Sequence, residues 1–163
     1  MRNVKWIFVI LFIALVSFVD KDNIFNGKDV GDKAPQFMLS SNSEDEHPLS
    51  LDQFKGNYVL LSFWASYDAN SRMQNVTLSH AASKNNKVEM VSVSFDNYHS
   101  IFKETIKKDQ LSTTNCFVDL AGENSEIYQT YRLHKGFKNY LLDENGVIIA
   151  KDIKAKELSS YLN

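Results

Sequence analysis

The sequence predicts an α/β domain: a central mixed β-sheet flanked by helices on both faces. Three observations carry this. Tyr58-Val59-Leu60-Leu61-Ser62-Phe63-Trp64 is an apolar, β-rich run of the kind that forms a central strand covered on both sides. Strand-like and helix-like segments alternate along the chain, which argues for helices packed over a sheet through short connections. Near the end, Asp143-Glu144-Asn145-Gly146 separates two apolar runs as a hairpin turn does.

At the N-terminus, Arg2 and Lys5 precede Trp6 to Val19, fourteen residues without a charge, and Asp20-Lys21-Asp22 ends the run. That is a basic n-region followed by an apolar h-region. At about 1.5 Å per residue the run reaches about 21 Å, short of a hydrocarbon core roughly 30 Å thick. A signal peptide fits this length; the small-x-small cleavage signature is poor, with Leu15-Val16-Ser17 the nearest candidate, so an uncleaved signal anchor stays open. No cysteine follows the run to carry a lipid. The expected organisation is therefore 1–19 as signal peptide or signal anchor, 20–29 as linker, and 30–163 as one domain. Export implies the bacterial periplasm, or a membrane-anchored domain facing it.

Within the domain, 40–47 reads as an exposed loop. After the 58–64 strand, Asn70 to Leu78 opens a helix with Met73, Val76 and Ala81 on one side, and Asp68 stands where an N-cap is wanted. Lys87 to Phe95 is a strand. Ser100 to Lys108 is a helix with Ile101, Phe102, Thr105 and Ile106 inward. Asn115 to Asp119 is a short strand or its approach, and Ser125 to Tyr131 a short helix. Asn139–Leu142 and Val147–Ala150 pair across the hairpin turn, and Lys154 to Leu162 closes the chain as a helix.

Residues 63–72, Phe-Trp-Ala-Ser-Tyr-Asp-Ala-Asn-Ser-Arg, carry the chemistry. The segment resembles the strand-to-helix turn of the thioredoxin-like superfamily, and most closely the Phe-Trp-Ala-x-Trp-Cys-x-x-Cys-Arg turn of its exported TlpA-like branch. Aligned without a gap, Asp68 and Ser71 take the two cysteine positions. Val30-Gly31-Asp32-Lys33-Ala34-Pro35-Gln36-Phe37 is similar to the family's opening strand, Ser50 to Gly56 to its short helix, and Tyr131 to Gly146 to its closing segment. The resemblance spans 30–162 and implies a thioredoxin-like fold.

Thiol–disulfide exchange needs a thiolate to attack and a second sulfur to resolve the mixed disulfide. In the family, the first cysteine is acidified by a helix N-terminus. Here that field acts on a carboxylate whose ordinary pKa is about 3.9, so it is charged at pH 7 but cannot carry the electrons of a disulfide exchange. Asp68 reads as a helix cap, or as a base, nucleophile or anionic recognition group. The family's cis-proline faces this turn, six residues after the tyrosine and six before the aspartate; counting from Tyr131 and from Asp143 both reach Phe137. A cis bond before a non-proline residue costs about 2.5–4 kcal/mol, so Gly136–Phe137 is expected to be trans. Phe137 reads as a core residue of a remodelled loop or as part of a binding surface.

Composition narrows the rest. At 163 residues and a formal charge of −2, or −4 once Arg2 and Lys5 leave with the first 19 residues, the chain has no basic patch dense enough for nucleic acid. Lys107-Lys108 and 151–156 read as solvated faces. His47, His80, His99 and His134 are scattered, with no helical i, i+4 metal pair, and no glycine-rich phosphate loop is present; neither metal nor cofactor is expected. Cys116 is the one cysteine, unable to bridge internally, and reads as a buried hydrophobe, a reactive thiol or a half of an intermolecular pair. Trp64 is expected in the core and Tyr67 at the surface.

Two function classes follow. One is a redox-inactive binder of a protein or peptide partner in the cell envelope, held to the membrane by its N-terminal segment if that is uncleaved. Its contact surface is Tyr67, Ala69, Asn70, Arg72, Gly136 and Phe137 beside the degenerate Asp68 and Ser71. The other is an oxidoreductase of the thioredoxin/peroxiredoxin superfamily using Cys116 or a rewired site.

Overall fold

The computed structural model describes residues 25–39, 48–112 and 114–162. The expected leader, most of the tether, the 40–47 loop and His47 lie outside the described residues. Strands β1 (Met38–Leu39) and β2 (Leu49–Ser50) form a small antiparallel ladder. Strands β3 (Tyr58–Trp64), β4 (Val88–Ser94), β5 (Cys116–Val118), β6 (Asn139–Leu142) and β7 (Ile148–Lys151) form one sheet in the order β5-β4-β3-β6-β7. Pairing is parallel on the β5-β4-β3 side and antiparallel on the β3-β6-β7 side. The helices are α1 (Ala69–Ala82), α2 (His99–Lys108), α3 (Glu126–Thr130) and α4 (Leu158–Tyr161).

The two-residue period of β3 divides the core. Val59, Leu61 and Phe63 enter one cluster with Val91, Val93, Phe95, Tyr128, Tyr131, Tyr140 and Leu142. Leu60 points to the opposite face, where α1 and α4 supply Leu78, Ala82, Leu158 and Leu162. Trp64 lies on that same face with Phe102 and Ile106 of α2. Both faces of the central strand are thus covered, as its unbroken apolar run requires.

One polar chain crosses this interior. The Trp64 indole Nε1 donates to Ser92 Oγ at 2.8 Å, and that hydroxyl donates to Asn75 Oδ1 at 2.9 Å. It links β3 to β4 to α1 and explains why Asn75, 1% exposed, faces the sheet.

Several expectations need correction. The inner face of α1 is Ser71, Asn75, Leu78 and Ala82, whereas Met73 is 62% exposed. Hydrogen bonding by Ser71 and Asn75, rather than apolarity, fixes the helix's rotation. Ile101 of α2 is exposed, and Phe102, Thr105 and Ile106 are buried. Residues 30–37 do not form a strand: Lys33 makes isolated bridges to Asn26 and Val147, and Pro35 has no N–H for a ladder. The short helix expected within 50–56 is a 3₁₀ turn, Leu51–Phe54, capped by Ser50. The closing helix is broken into a 3₁₀ turn, Ala155–Glu157, and the four-residue α4. The hairpin forms one residue later than expected, because the Asp143 carboxylate accepts from the amides of Asn145 and Val147 and takes Val147 into the turn.

Residues 25–29, the described end of the expected tether, are pinned to the domain. Lys33 N donates to Phe25 O at 2.8 Å and Gly27 N to Lys33 O at 3.0 Å, while Lys151 pairs with Asp29 at 2.8 Å.

Ser92→Ala should leave the Trp64 indole N–H and the Asn75 carbonyl both buried without this partner. The expected loss is about 1–3 kcal/mol, read as a lower urea midpoint at unchanged slope.

Candidate functional site

The turn between β3 and α1 is built on hydrogen bonds to oxygen. Asp68 adopts φ −96°, ψ 101°, and its Oδ1 accepts from the Ser71 amide at 2.7 Å. This is a helix N-cap, satisfying one of the amides that the first turn leaves unpaired. Ser71 is 5% exposed; its hydroxyl donates to Asp68 O at 3.2 Å and accepts from Ala65 N at 3.4 Å. Asp68 and Ser71, which the resemblance sets at the family's cysteine positions, are thus joined as cap and inward hydroxyl.

A residue that no sequence motif singles out holds the other side of the turn. Asp96 is 1% exposed, and its Oδ1 accepts from both the amide and the hydroxyl of Ser66, at 2.9 and 2.6 Å. Its Oδ2 accepts from Ser94 Oγ at 2.7 Å. The signal was there in the register. Trp64 pairs with Ser94 across the parallel ladder, so two residues on, Ser66 comes level with Asp96 at the same end of the sheet.

With Ser66 gripped below and Asp68 capping the helix, Tyr67 is turned outward, 63% exposed, and partial burial raises its hydroxyl above the ordinary value. Its ring meets Phe137 edge-on at 6.4 Å. Phe137 stacks against Phe95 at 6.0 Å and meets Tyr128 at 6.2 Å. Phe137 therefore packs partly into the core, as one of the two readings of the sequence expects, and also borders the turn. The Gly136–Phe137 bond is trans, as is every other peptide bond among the described residues. Gly136 at φ 113°, ψ 148° takes a conformation that side chains avoid, and it delivers Phe137 to this position.

The remaining candidates divide. Ala69 and Asn70 are exposed on the first turn of α1. Arg72 is committed elsewhere: Nε and Nη2 bond Asp109 Oδ2 and Oδ1 at 2.7 and 2.6 Å, clasping α1 to the end of α2. The fork holds the Asp109 carboxyl below its ordinary value. Cys116 lies on β5 against Ser92, packed with the Trp64 and Phe102 cluster. Burial pushes its thiol up to about 11, against a smaller lowering by a hydrogen bond with Ser92. At neutral pH it is a protonated thiol with no acidifying cation or helix terminus. Among the described residues no three His, Cys, Asp or Glu side chains group as a metal site. His80 and His134 are exposed, and His99 stacks on Phe102.

Comparison with known proteins agrees with this architecture. Residues 30–151 match the model of the AhpC/TSA family. Over 161 residues the chain is 27% identical to the thiol-disulfide oxidoreductase ResA of Oceanobacillus iheyensis, covering 94% of this chain and 80% of that one. It is 28% identical to the thioredoxin-like protein YneN of Bacillus subtilis, covering 88% and 86%. Among solved structures, a thioredoxin-like protein from Parabacteroides distasonis superposes with a TM-score of 0.71 at 40% identity, covering 83% of this chain and 96% of that one. A thiol-disulfide oxidoreductase from Bacteroides fragilis does so with a TM-score of 0.65 at 32% identity, covering 80% and 97%.

Asp68→Ala should remove the cap and lower stability by about 1 kcal/mol, whereas Asp68→Asn, which still accepts from the Ser71 amide, should stay within about half of that. Paired chemical denaturation curves of the two variants check it.

Proposed function

The chain belongs to the AhpC/TSA family as a thioredoxin-like, TlpA-like member, and we propose that it acts there as a redox-inactive binder of a protein or peptide partner in the cell envelope. The observation that carries this reading is the Asp68–Ser71 cap. Both positions that need sulfur hold oxygen, and those oxygens are engaged in hydrogen bonds that shape the turn. A turn so held can present a surface but cannot form, open or resolve a disulfide.

The surface is aromatic and fixed. Tyr67 stands on the turn and Phe137 beside it, their rings backed by Phe95 and the buried Tyr128. Asn70 and Ala69 extend it along the first turn of α1. Rigid aromatic side chains supply contact area at low entropic cost, as binding surfaces favour. The basic and apolar N-terminal pattern supports an envelope location, with the domain either released or tethered. An enzyme built on Cys116 is disfavoured by that half-buried thiol's raised pKa.

A photoreactive phenylalanine in place of Tyr67 should form a discrete adduct in intact cells that the same group in place of Tyr161 does not. Adding Phe137→Ala should cut the yield several-fold. Equal labelling from both positions, or none from either, would contradict the binding surface.

A further inference from the structure

Beside β7, a cavity of about 350 Å³ collects Lys28, Arg132, Lys135, Lys138 and Lys151 against two carboxylates, Asp29 and Asp32. Lys151 is paired with Asp29 and Lys138 with Asp152. Lys28, Arg132 and Lys135 have no ion-pair partner among the described residues. This local excess of positive charge stands out on a chain whose formal charge is −2.

The backbone holds the cluster in place. Arg132 sits in the left-handed region at φ 53°, ψ 45°, a conformation that arginine seldom adopts. On the other wall, Lys28 belongs to the 25–33 strap, fixed by the bonds of Lys33 to Phe25 and Gly27 and by Gly31 N donating to Ile148 O at 2.9 Å. The same strap leaves Phe25 71% and Val30 61% exposed, before and after Lys28 in the chain. Apolar side chains interleaved with cations are what a membrane interface accepts.

Chain length adds a second argument. The uncharged apolar run ends at Val19, and Phe25 follows six residues later. At most about 3.5 Å per residue, that connection spans about 21 Å. A run retained in the bilayer would keep the cluster within reach of the lipid headgroups.

We propose that the Lys28–Arg132–Lys135 cavity and the Phe25–Val30 strap form a membrane-docking surface that takes the phosphate oxygens of anionic lipid headgroups. The proposal rests on the tethered form of the function read above. Lys28, Arg132 and Lys135 donate to phosphate, and Phe25 and Val30 enter the interface. Lys135 and Lys138 flank Gly136–Phe137, so docking holds the candidate binding loop beside the bilayer and favours partners at the membrane surface.

Hydrogen exchange of the full chain in lipid nanodiscs tests this. Amides in 27–33 and 133–138 should exchange about tenfold more slowly in discs with about a third anionic phospholipid than in zwitterionic discs, each cation being worth about fivefold in affinity. The protection should vanish in about 0.5 M salt, where the screening length falls to a few ångströms, and in the Lys28→Glu, Arg132→Glu, Lys135→Glu variant. Equal exchange in both discs would overturn the proposal. So would the same protection in zwitterionic discs given millimolar inorganic phosphate, which would assign the cavity to a free oxyanion. So too would protection by an acidic peptide but not by lipid. Co-elution with zwitterionic discs reports the tether separately. If it fails, salt-sensitive sedimentation with anionic vesicles, lost in the variant, still supports the docking surface, and its absence refutes it.

Discussion

The hydrogen bond from the Ser71 amide to the Asp68 carboxylate is the contact from which the rest of the site follows. A helix N-terminus presents unpaired amides and a partial positive charge, and an anionic group placed there both fills the hydrogen bond and meets the field. In a dithiol enzyme that field acidifies a sulfur that then reacts. Here the same field is answered by a carboxylate, and Ser71, three residues on, turns its hydroxyl inward. The helix start is thereby stabilised by oxygen at both positions.

That cap would fix little alone. Asp96 draws Ser66 into the end of the sheet, and the Arg72–Asp109 fork ties the first turn of α1 to the far end of α2. Between these restraints Tyr67 has one way to go, outward. Across the gap, where the family places its proline, Gly136 swings Phe137 onto Phe95 and Tyr128. The result is a preorganised aromatic surface beside the turn, formed by Tyr67 and Phe137.

Much of this was legible in the sequence where one residue type has one physical use. The seven-residue β3 run has no polar face and reads as central; Asp68, three residues before a helical amide at Ser71, stands where a cap is wanted, and caps. Asp143 and Gly146 marked the hairpin to within a residue. The differences share a cause, in that apolarity alone does not set which way a side chain faces here. Met73 is apolar yet faces solvent, and Asn75 is polar yet faces the sheet, because Ser92 and Trp64 supply it with a hydrogen-bonding chain. Asp96 escaped notice because its role depends on the alignment of two strands thirty residues apart, which no local pattern reveals. Lys151 read as one of a solvated run, yet the returning N-terminal strap brings Asp29 to it.

The central claim is that this turn has nothing with which to carry two electrons. Its most direct test is thiol counting by alkylation and intact-mass spectrometry on the unmodified chain, poised with a dithiol couple between about −350 and −100 mV. The account predicts one alkylated sulfur, Cys116, once the chain is unfolded for labelling, at every potential and throughout exposure to a disulfide substrate. A reversible, potential-dependent loss and return of that sulfur in step with substrate turnover would contradict it.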